Sequence, residues 1–185
     1  MEKGTDSLRA DHESVSILLD VMDSLKRSVE NGEKPEKEDL IAISGFLTGF
    51  NDDYHHIKEE NFLFPALEAA GIPKEGGPIG IMLQEHAMGR AAVEEIVKAA
   101  GAYNDGDESA LEAFIKASEE YVFVLRQHVD KENNILFRMA DVHLDQFDQA
   151  DLIDSFDTFL EEEFGTERYE ALLSSLDTLR KKYLP

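Results

Sequence analysis

The chain has 185 residues, of which 42% are hydrophobic, and this suits one folded domain or one domain with a small appendage. Its 40 acidic side chains against 18 Lys and Arg give a net charge of -22, which argues against nucleic acid and anionic membrane surfaces as partners. It contains no cysteine, which excludes disulfides, thiolate zinc sites, iron–sulfur ligation and cysteine nucleophiles. Because the N-terminal residues are polar and no apolar run is long enough to span a bilayer, we expect a cytoplasmic protein.

Helical periodicity dominates the sequence, and we find no alternating segment typical of a β-strand. A first helix is predicted from about residues 5–7 to 31–32, and a second from Pro35 to Ala70, with a kink or an early end at Pro65. The third and fourth helices are predicted over about residues 79–100 and 108–140. Inward positions of the fourth helix, spaced by three and four, are Leu111, Phe114, Ser118, Tyr121, Leu125, His128, Glu132, Ile135 and Met139.

The pattern therefore predicts an all-α protein in which residues 1–140 form a four-helix bundle. Residues 141–164 carry nine acidic side chains and no basic one, but their apolar residues keep helical spacing. Residues 167–183 form a further amphipathic pattern. We expect residues 141–185 to be a helical extension of one or two helices packed on the outside of the bundle.

Two segments of the sequence share the pattern His-x-x-x-Glu-Asn, beginning at His56 and at His128, 72 positions apart (56 to 128). Two acid–His pairs, ending at His12 and His86, are 74 positions apart (12 to 86). This repeat predicts two equivalent helical hairpins that place two half-sites face to face. Because residues i and i+4 share a helical face, each motif is expected to present one imidazole and one carboxylate inward.

Four imidazoles and two carboxylates are therefore predicted to meet at one level of the bundle. Such a donor set suits two iron ions, with manganese or zinc as alternatives. His55 lies about 100° around the helix from His56 and is expected at the boundary of the site. His143 is expected in solvent. The predicted metal ligands are His12, His56, Glu60, His86, His128 and Glu132.

This arrangement resembles the hemerythrin-like (HHE cation-binding) family over about residues 6–140. The strings DYHHIKEENFLFPALEAAGIP, GGPIGIMLQEHAMGR and LRQHVDKENNILF are typical of its bacterial and archaeal members. The resemblance implies an up-down-up-down four-helix bundle that holds two iron ions in an oxo- or hydroxo-bridged, non-haem centre. The set of four His and two Glu is similar to that of the di-iron proteins that repair iron–sulfur clusters.

Two positions depart from the oxygen-carrying hemerythrins. Those proteins have His-x-x-x-His on the third helix, where this sequence has His86 and Arg90. They also have an Asp five residues after the last His, where this sequence has Asn133, with Glu132 one residue earlier. Reversible oxygen transport is therefore not implied for this chain. One iron is expected to be more open, unless water or another side chain fills the position.

Three functions agree with this sequence. The first is a di-iron protein that binds, senses or reacts with a diatomic ligand such as oxygen or nitric oxide, to which Tyr54 or Tyr121 could donate a hydrogen bond. The second is a di-iron oxidoreductase that acts on nitric oxide or peroxide. The third is a helical interaction module with a structural metal, in which the acidic extension contacts a partner. The sequence makes no prediction of the oligomeric state.

Overall fold

The computed structural model describes residues 3–184, and all the regular structure in this range is helical. Helix α1 is Gly4–Glu30, α2 covers residues 37–69, α3 is Pro78–Asn104 and α4 covers residues 110–143. Two more helices follow, α5 over residues 146–164 and α6 at Thr166–Tyr183. The prediction of an all-α four-helix bundle with extra C-terminal helices is confirmed. Within the described range, no helix combines the length and the apolar character that crossing a membrane requires.

Three of these helices contain π-helical segments, in which the hydrogen bond spans one residue more than in an α-helix. In α2 they are Leu47–His55 and Glu59–Leu63, and in α4 the segment is Glu132–Leu136. Helix α5 ends with the segment Phe159–Phe164. Each extra residue rotates the face that follows it, so a strict spacing of three and four does not describe these helices.

Two expectations change for this reason. Ile135 was predicted to face inward but is 53% exposed, because the π-helical turn moves the next inward position to the buried Leu136. Pro65 was expected to kink the second helix or to end it early; the helix does not end there, since α2 continues to Ala69. The residue cannot donate a backbone hydrogen bond, and it stands in the first turn of the α-helical segment that follows the second π-helical one.

The core of the bundle has two apolar clusters with a polar layer between them. On α1, Leu8 belongs to one cluster and the residues from Val15 to Leu25 belong to the other. The remaining bundle helices divide in the same way, and the buried histidines of all four lie at the level of the division. The layer is therefore closed above and below by hydrocarbon side chains.

The C-terminal helices cover the groove between α1 and α2. Helix α6 packs on both of them, and α5 packs on α1. Gly49 allows this approach, because a Cβ atom there would lie 3.1 Å from the Cδ1 atom of Leu172. Polar contacts fix the last turn of α6: the buried Asp39 accepts hydrogen bonds from Lys182 (2.7 Å) and from the hydroxyl of Tyr183 (2.6 Å). The extension shares the core of the bundle.

Candidate metal centre

Seven buried side chains in the polar layer have nitrogen or oxygen atoms without a well-formed hydrogen bond, and all but one of these atoms face one another; the exception is Nδ1 of His56, which lies 3.1 Å from Oδ1 of Asp52. They contribute five imidazole nitrogens and four carboxylate oxygens. Leaving so many buried polar atoms unpaired would be unfavourable unless something else bound them. Their donor types and their convergence fit metal ions. The seven residues are His12, His55, His56, Glu59, His86, His128 and Glu132.

The atoms form two groups, and within each group the possible ligand atoms lie within 4.8 Å of one another. The first group has three imidazoles, from His56, His86 and His128, together with Glu59. The second has two imidazoles together with Glu59 and Glu132. The two groups therefore have room for one ion each, and Glu59 belongs to both. The imidazoles of the second group are those of His12 and His55.

The two buried carboxylates lie between the groups. Glu132 reaches both, since its Oε1 atom is 3.2 Å from Nε2 of His128 and its Oε2 atom is 3.2 Å from Nε2 of His12. The Oε2 atom of Glu59 is 3.3 Å from Nε2 of His86 and 3.7 Å from Nε2 of His55. This position suits carboxylates that bridge two cations, which would also balance the unfavourable burial of two negative charges.

Four of the five histidines of the layer are held in place from behind, on the ring nitrogen that faces away from the centre. His55 donates through Nδ1 to Asp11 (3.2 Å), and His128 donates through Nδ1 to Glu85 (2.9 Å). A lysine donates to each of these carboxylates: Lys58 to Asp11 at 2.7 Å, and Lys131 to Glu85. These contacts orient the rings and leave each Nε2 directed at the centre.

The other two outer contacts differ from each other. His86 donates through Nδ1 to the carboxylate of Glu60 (2.7 Å), which also accepts from Arg90 (2.6 Å). His12 donates through Nδ1 to the neutral amide oxygen of Asn133 (3.0 Å). The imidazole on the three-histidine side is therefore backed by a negative charge, and its counterpart is not. The halves of the centre are unequal in the number of imidazoles and in this outer contact, although Arg90 balances the charge of Glu60.

The structure brings five of the six predicted ligands together and replaces the sixth. His12, His56, His86, His128 and Glu132 all lie in the cluster, but Glu60 does not. Its side chain is 19% exposed and contacts the outer nitrogen of His86, whereas that of Glu59 is fully buried in the centre. His143 is exposed, as expected.

His55 was placed at the boundary, and in the structure it lies inside the cluster. The long π-helical segment that ends at this residue has a wider turn than an α-helix, so two consecutive histidines face the interior. His56 is thus the third imidazole of its group, whereas Arg90, four residues after His86, donates a hydrogen bond to Glu60.

The correct register of the repeat was visible in the sequence. An offset of 73 pairs His55 with His128 (55 to 128) and Glu59 with Glu132 (59 to 132). The same offset also pairs Lys58 with Lys131, Leu63 with Leu136 and Phe64 with Phe137 without a gap. The offset of 72 matched one histidine pair and one Glu-Asn pair but needed a gap to align the Leu-Phe pairs. The longer ungapped match is the signal that identifies Glu59 and His55.

The metal-free centre holds protons that a metal ion would displace. Burial alone would lower the pKa of His86, but its contacts with Glu132, Glu59 and Glu60 raise that pKa to about 11. The pKa values of His12 and His128 are also raised, against burial, mainly by Glu132. Burial and the neighbouring His86 instead hold the pKa of His56 well below its ordinary value.

We therefore expect metal uptake at pH 7 to release protons. A raised histidine pKa means that the ring is protonated below that pKa, and a metal binds only the neutral ring. The apparent affinity should rise with pH over the whole range below about 11, the pKa of His86. Titration of the metal-free protein with ferrous ion in buffers of different ionisation enthalpy measures the number of protons. A heat that does not depend on the buffer would contradict this proton balance.

Comparison with known proteins agrees with this geometry. The sequence profile of the hemerythrin HHE cation binding domain matches residues 3–140. An uncharacterized protein of Mycobacterium tuberculosis is 21% identical over 165 residues, which is 89% of this chain and 64% of that protein. The iron-sulfur cluster repair protein YtfE of Dickeya chrysanthemi is 30% identical over 104 residues, which is 54% of this chain and 47% of that protein. The chain thus spans less than two thirds of the length of these relatives. No solved structure gives a significant match.

Proposed function

The chain belongs to the hemerythrin family of HHE cation-binding domains, and we propose that its polar layer binds two iron ions. The observation that carries this proposal is the set of nine unpaired atoms on buried side chains, which are five imidazole nitrogens and four carboxylate oxygens. One ion would lie among His56, His86 and His128, and the other between His12 and His55. Glu59 and Glu132 would bridge the two ions.

Iron is the metal we propose because the donors are imidazoles and carboxylates without thiolates. Zinc and manganese accept the same donors, so they are the competing ions in any test. One relative is described as an iron-sulfur cluster repair protein, which supports iron as the first metal to try.

We further propose that the iron-loaded chain binds or senses a diatomic ligand such as oxygen or nitric oxide. Two irons in this layer would supply one-electron chemistry and a coordination position for the ligand. The protein's own part is to exclude water. Phe137 stacks on His12 at 5.2 Å and Phe64 on His86 at 5.8 Å between ring centroids, and the apolar clusters close the layer on both sides.

Tyr121 is the side chain best placed to assist such a ligand. Its hydroxyl accepts a hydrogen bond from the Asn51 amide (3.1 Å), which itself lies 3.3 Å from Nε2 of His56. The phenol proton is therefore left for another acceptor. Burial raises the pKa of Tyr121 well above its ordinary value, so the proton is retained at neutral pH. The other candidate, Tyr54, packs against Phe164 and Tyr169.

The test is anaerobic reconstitution with ferrous iron followed by exposure to nitric oxide or oxygen. We expect about two irons per chain, since each group of ligands has room for one ion, and an optical change on exposure to gas. Tyr121→Phe should keep the iron, but its complex with the gas should be weaker or should dissociate faster. A protein that takes up iron and shows no optical response to either gas would remove the diatomic ligand from the proposal.

The oxidoreductase alternative uses the same metal ligands, and the products of the reaction distinguish it from binding or sensing. A single turnover that converts nitric oxide to nitrous oxide, or peroxide to water, faster than the same amount of free iron would favour an enzyme. Stable complexes without turnover would favour binding or sensing.

A further inference from the structure

An apolar cleft runs along the outside of the bundle between α3 and α4. Its volume is about 670 Å³. A water molecule or a diatomic gas needs only about 30 Å³, and pockets of about 300–1,000 Å³ are typical of sites for small organic molecules. The cleft is therefore much larger than the proposed diatomic ligand requires. Small side chains make it wide: Gly89, Ala92, Ala99 and Ala102 on α3, and Ala113 and Ala117 on α4.

The inner end of the cleft is the three-histidine half of the centre. His56, His86 and His128 line it together with Tyr121. Each of these histidines is at least 97% buried and has a ring nitrogen without a hydrogen-bond partner. The cleft thus leads from the surface to the three-histidine half of the candidate metal centre. This position distinguishes it from a packing defect elsewhere between the two helices.

The equivalent groove on the other half of the bundle is filled. Helices α5 and α6 cover the space between α1 and α2, and Lys58 is completely buried there beneath Tyr54 and Phe156. Along the cleft, by contrast, Met88 and Val124 are 64% and 41% exposed. Apolar side chains therefore face solvent along this side of the site.

We propose that this cleft binds an uncharged, elongated apolar organic molecule, with one end of that molecule against the three-histidine half of the centre. The charges of the lining decide against an anionic ligand, because four carboxylates and only two ammonium groups surround the cleft. They also decide against a second copy of this chain, since two chains of net charge -22 would bring like charges together. The inference rests on the proposed function only for the metal ions at its inner end.

The experiment uses 1-octanol as the probe and the metal-free full chain. Methyl resonances of Met88 and of the cleft alanines should shift saturably, with a dissociation constant below about 1 mM. Octanoate, which has the same chain length and a carboxylate, should bind more weakly. Ala92→Phe and Ala117→Phe fill the cleft from opposite walls and should each weaken octanol binding at least about tenfold. Ala91→Phe is the matched control, because Ala91 is exposed and outside the cleft, and it should change nothing.

A second measurement locates the inner end. In the protein loaded with ferrous iron, the paramagnetic ions should broaden the resonances at one end of the octanol chain more than those at the other. Uniform broadening would overturn the proposed orientation.

Three results would overturn the proposal itself. The first is chemical shifts that do not saturate with octanol. The second is an equal loss of octanol affinity in Ala91→Phe and Ala92→Phe. The third is an unmodified chain that takes up no octanol and forms a dimer, which Ala92→Phe converts to a monomer. The failures are distinguishable from failure of the proposed function. If the chain binds two irons and no octanol, only the proposed cleft ligand is wrong. If it binds octanol and no iron, the proposed metal centre is wrong and the cleft site stands.

Discussion

Replacing Glu59 with glutamine should remove most of the bound iron, whereas the same substitution at Glu60 should leave close to the full content. Glu59 is fully buried, and its carboxylate is part of both groups of ligands, so an amide there would weaken both ions. Glu60 is partly exposed and reaches the centre only through Nδ1 of His86. A residue that acts through a ligand changes metal affinity by about 10–100-fold, which saturating iron can overcome.

The measurement is iron bound per folded chain in anaerobic dialysis equilibrium with saturating ferrous ion, after subtraction of the free iron. The Glu60→Gln protein is the matched control, because the chemical change is identical and one position away. Full iron in Glu59→Gln together with loss of iron in Glu60→Gln would contradict this assignment. It would mean that Glu60, the ligand predicted from the sequence, holds the metal and that Glu59 does not.

Removing the metal should lower the thermal stability of the protein by at least about 8 °C. An ion at about 1,000 times its dissociation constant stabilises the folded state by about 4 kcal/mol. For a chain of this size, each kcal/mol shifts the melting temperature by about 2–4 °C. Metal ions would also replace the protonated histidines as the cations that face Glu59 and Glu132 in the buried layer.

Calorimetry of the chelated and reconstituted protein measures this shift. Glu59→Gln should lose most of the metal-dependent gain. His143→Ala should keep it, because His143 is exposed and far along the chain from the ligands. Equal melting temperatures with and without metal in the unmodified chain would contradict a metal centre built into the core.

Much of this molecule follows from periodicity and from one repeat. The apolar spacing predicted four bundle helices and one or two further ones, and the observed limits of the helices differ from the prediction by a few residues. The histidine on α1, His12, and the one on α3, His86, were predicted because each follows an acidic residue and the two acid–His pairs align in the repeat. Glu132 was found because it follows His128 by one helical turn.

The errors share one physical cause. Predictions from spacing assume 3.6 residues per turn, and the π-helical segments before His56 and after Glu59 break that assumption. One added residue rotates the face by about 100°, which moves Glu60 out of the centre and brings His55 into it. The same effect in α4 exposes Ile135. Nothing in the composition of these segments marks them as π-helical, but the ungapped repeat at offset 73 carries the correct register.

The cleft between α3 and α4 was also beyond the sequence. Its alanines looked like ordinary helix-forming residues, and only the arrangement of the helices shows that they leave a space. In the same way, the acidic C-terminal residues predicted a covering extension but not which groove it covers. That groove became evident from contacts such as the one between Gly49 and Leu172.

Anomalous diffraction at the iron absorption edge, from crystals of the anaerobically reconstituted protein, tests the central claim most directly. Our account predicts two peaks in the polar layer, one bound by His56, His86 and His128 and the other by His12 and His55. The carboxylates of Glu59 and Glu132 should lie between the two peaks. A single peak, or a peak bound directly by Glu60, would contradict the account.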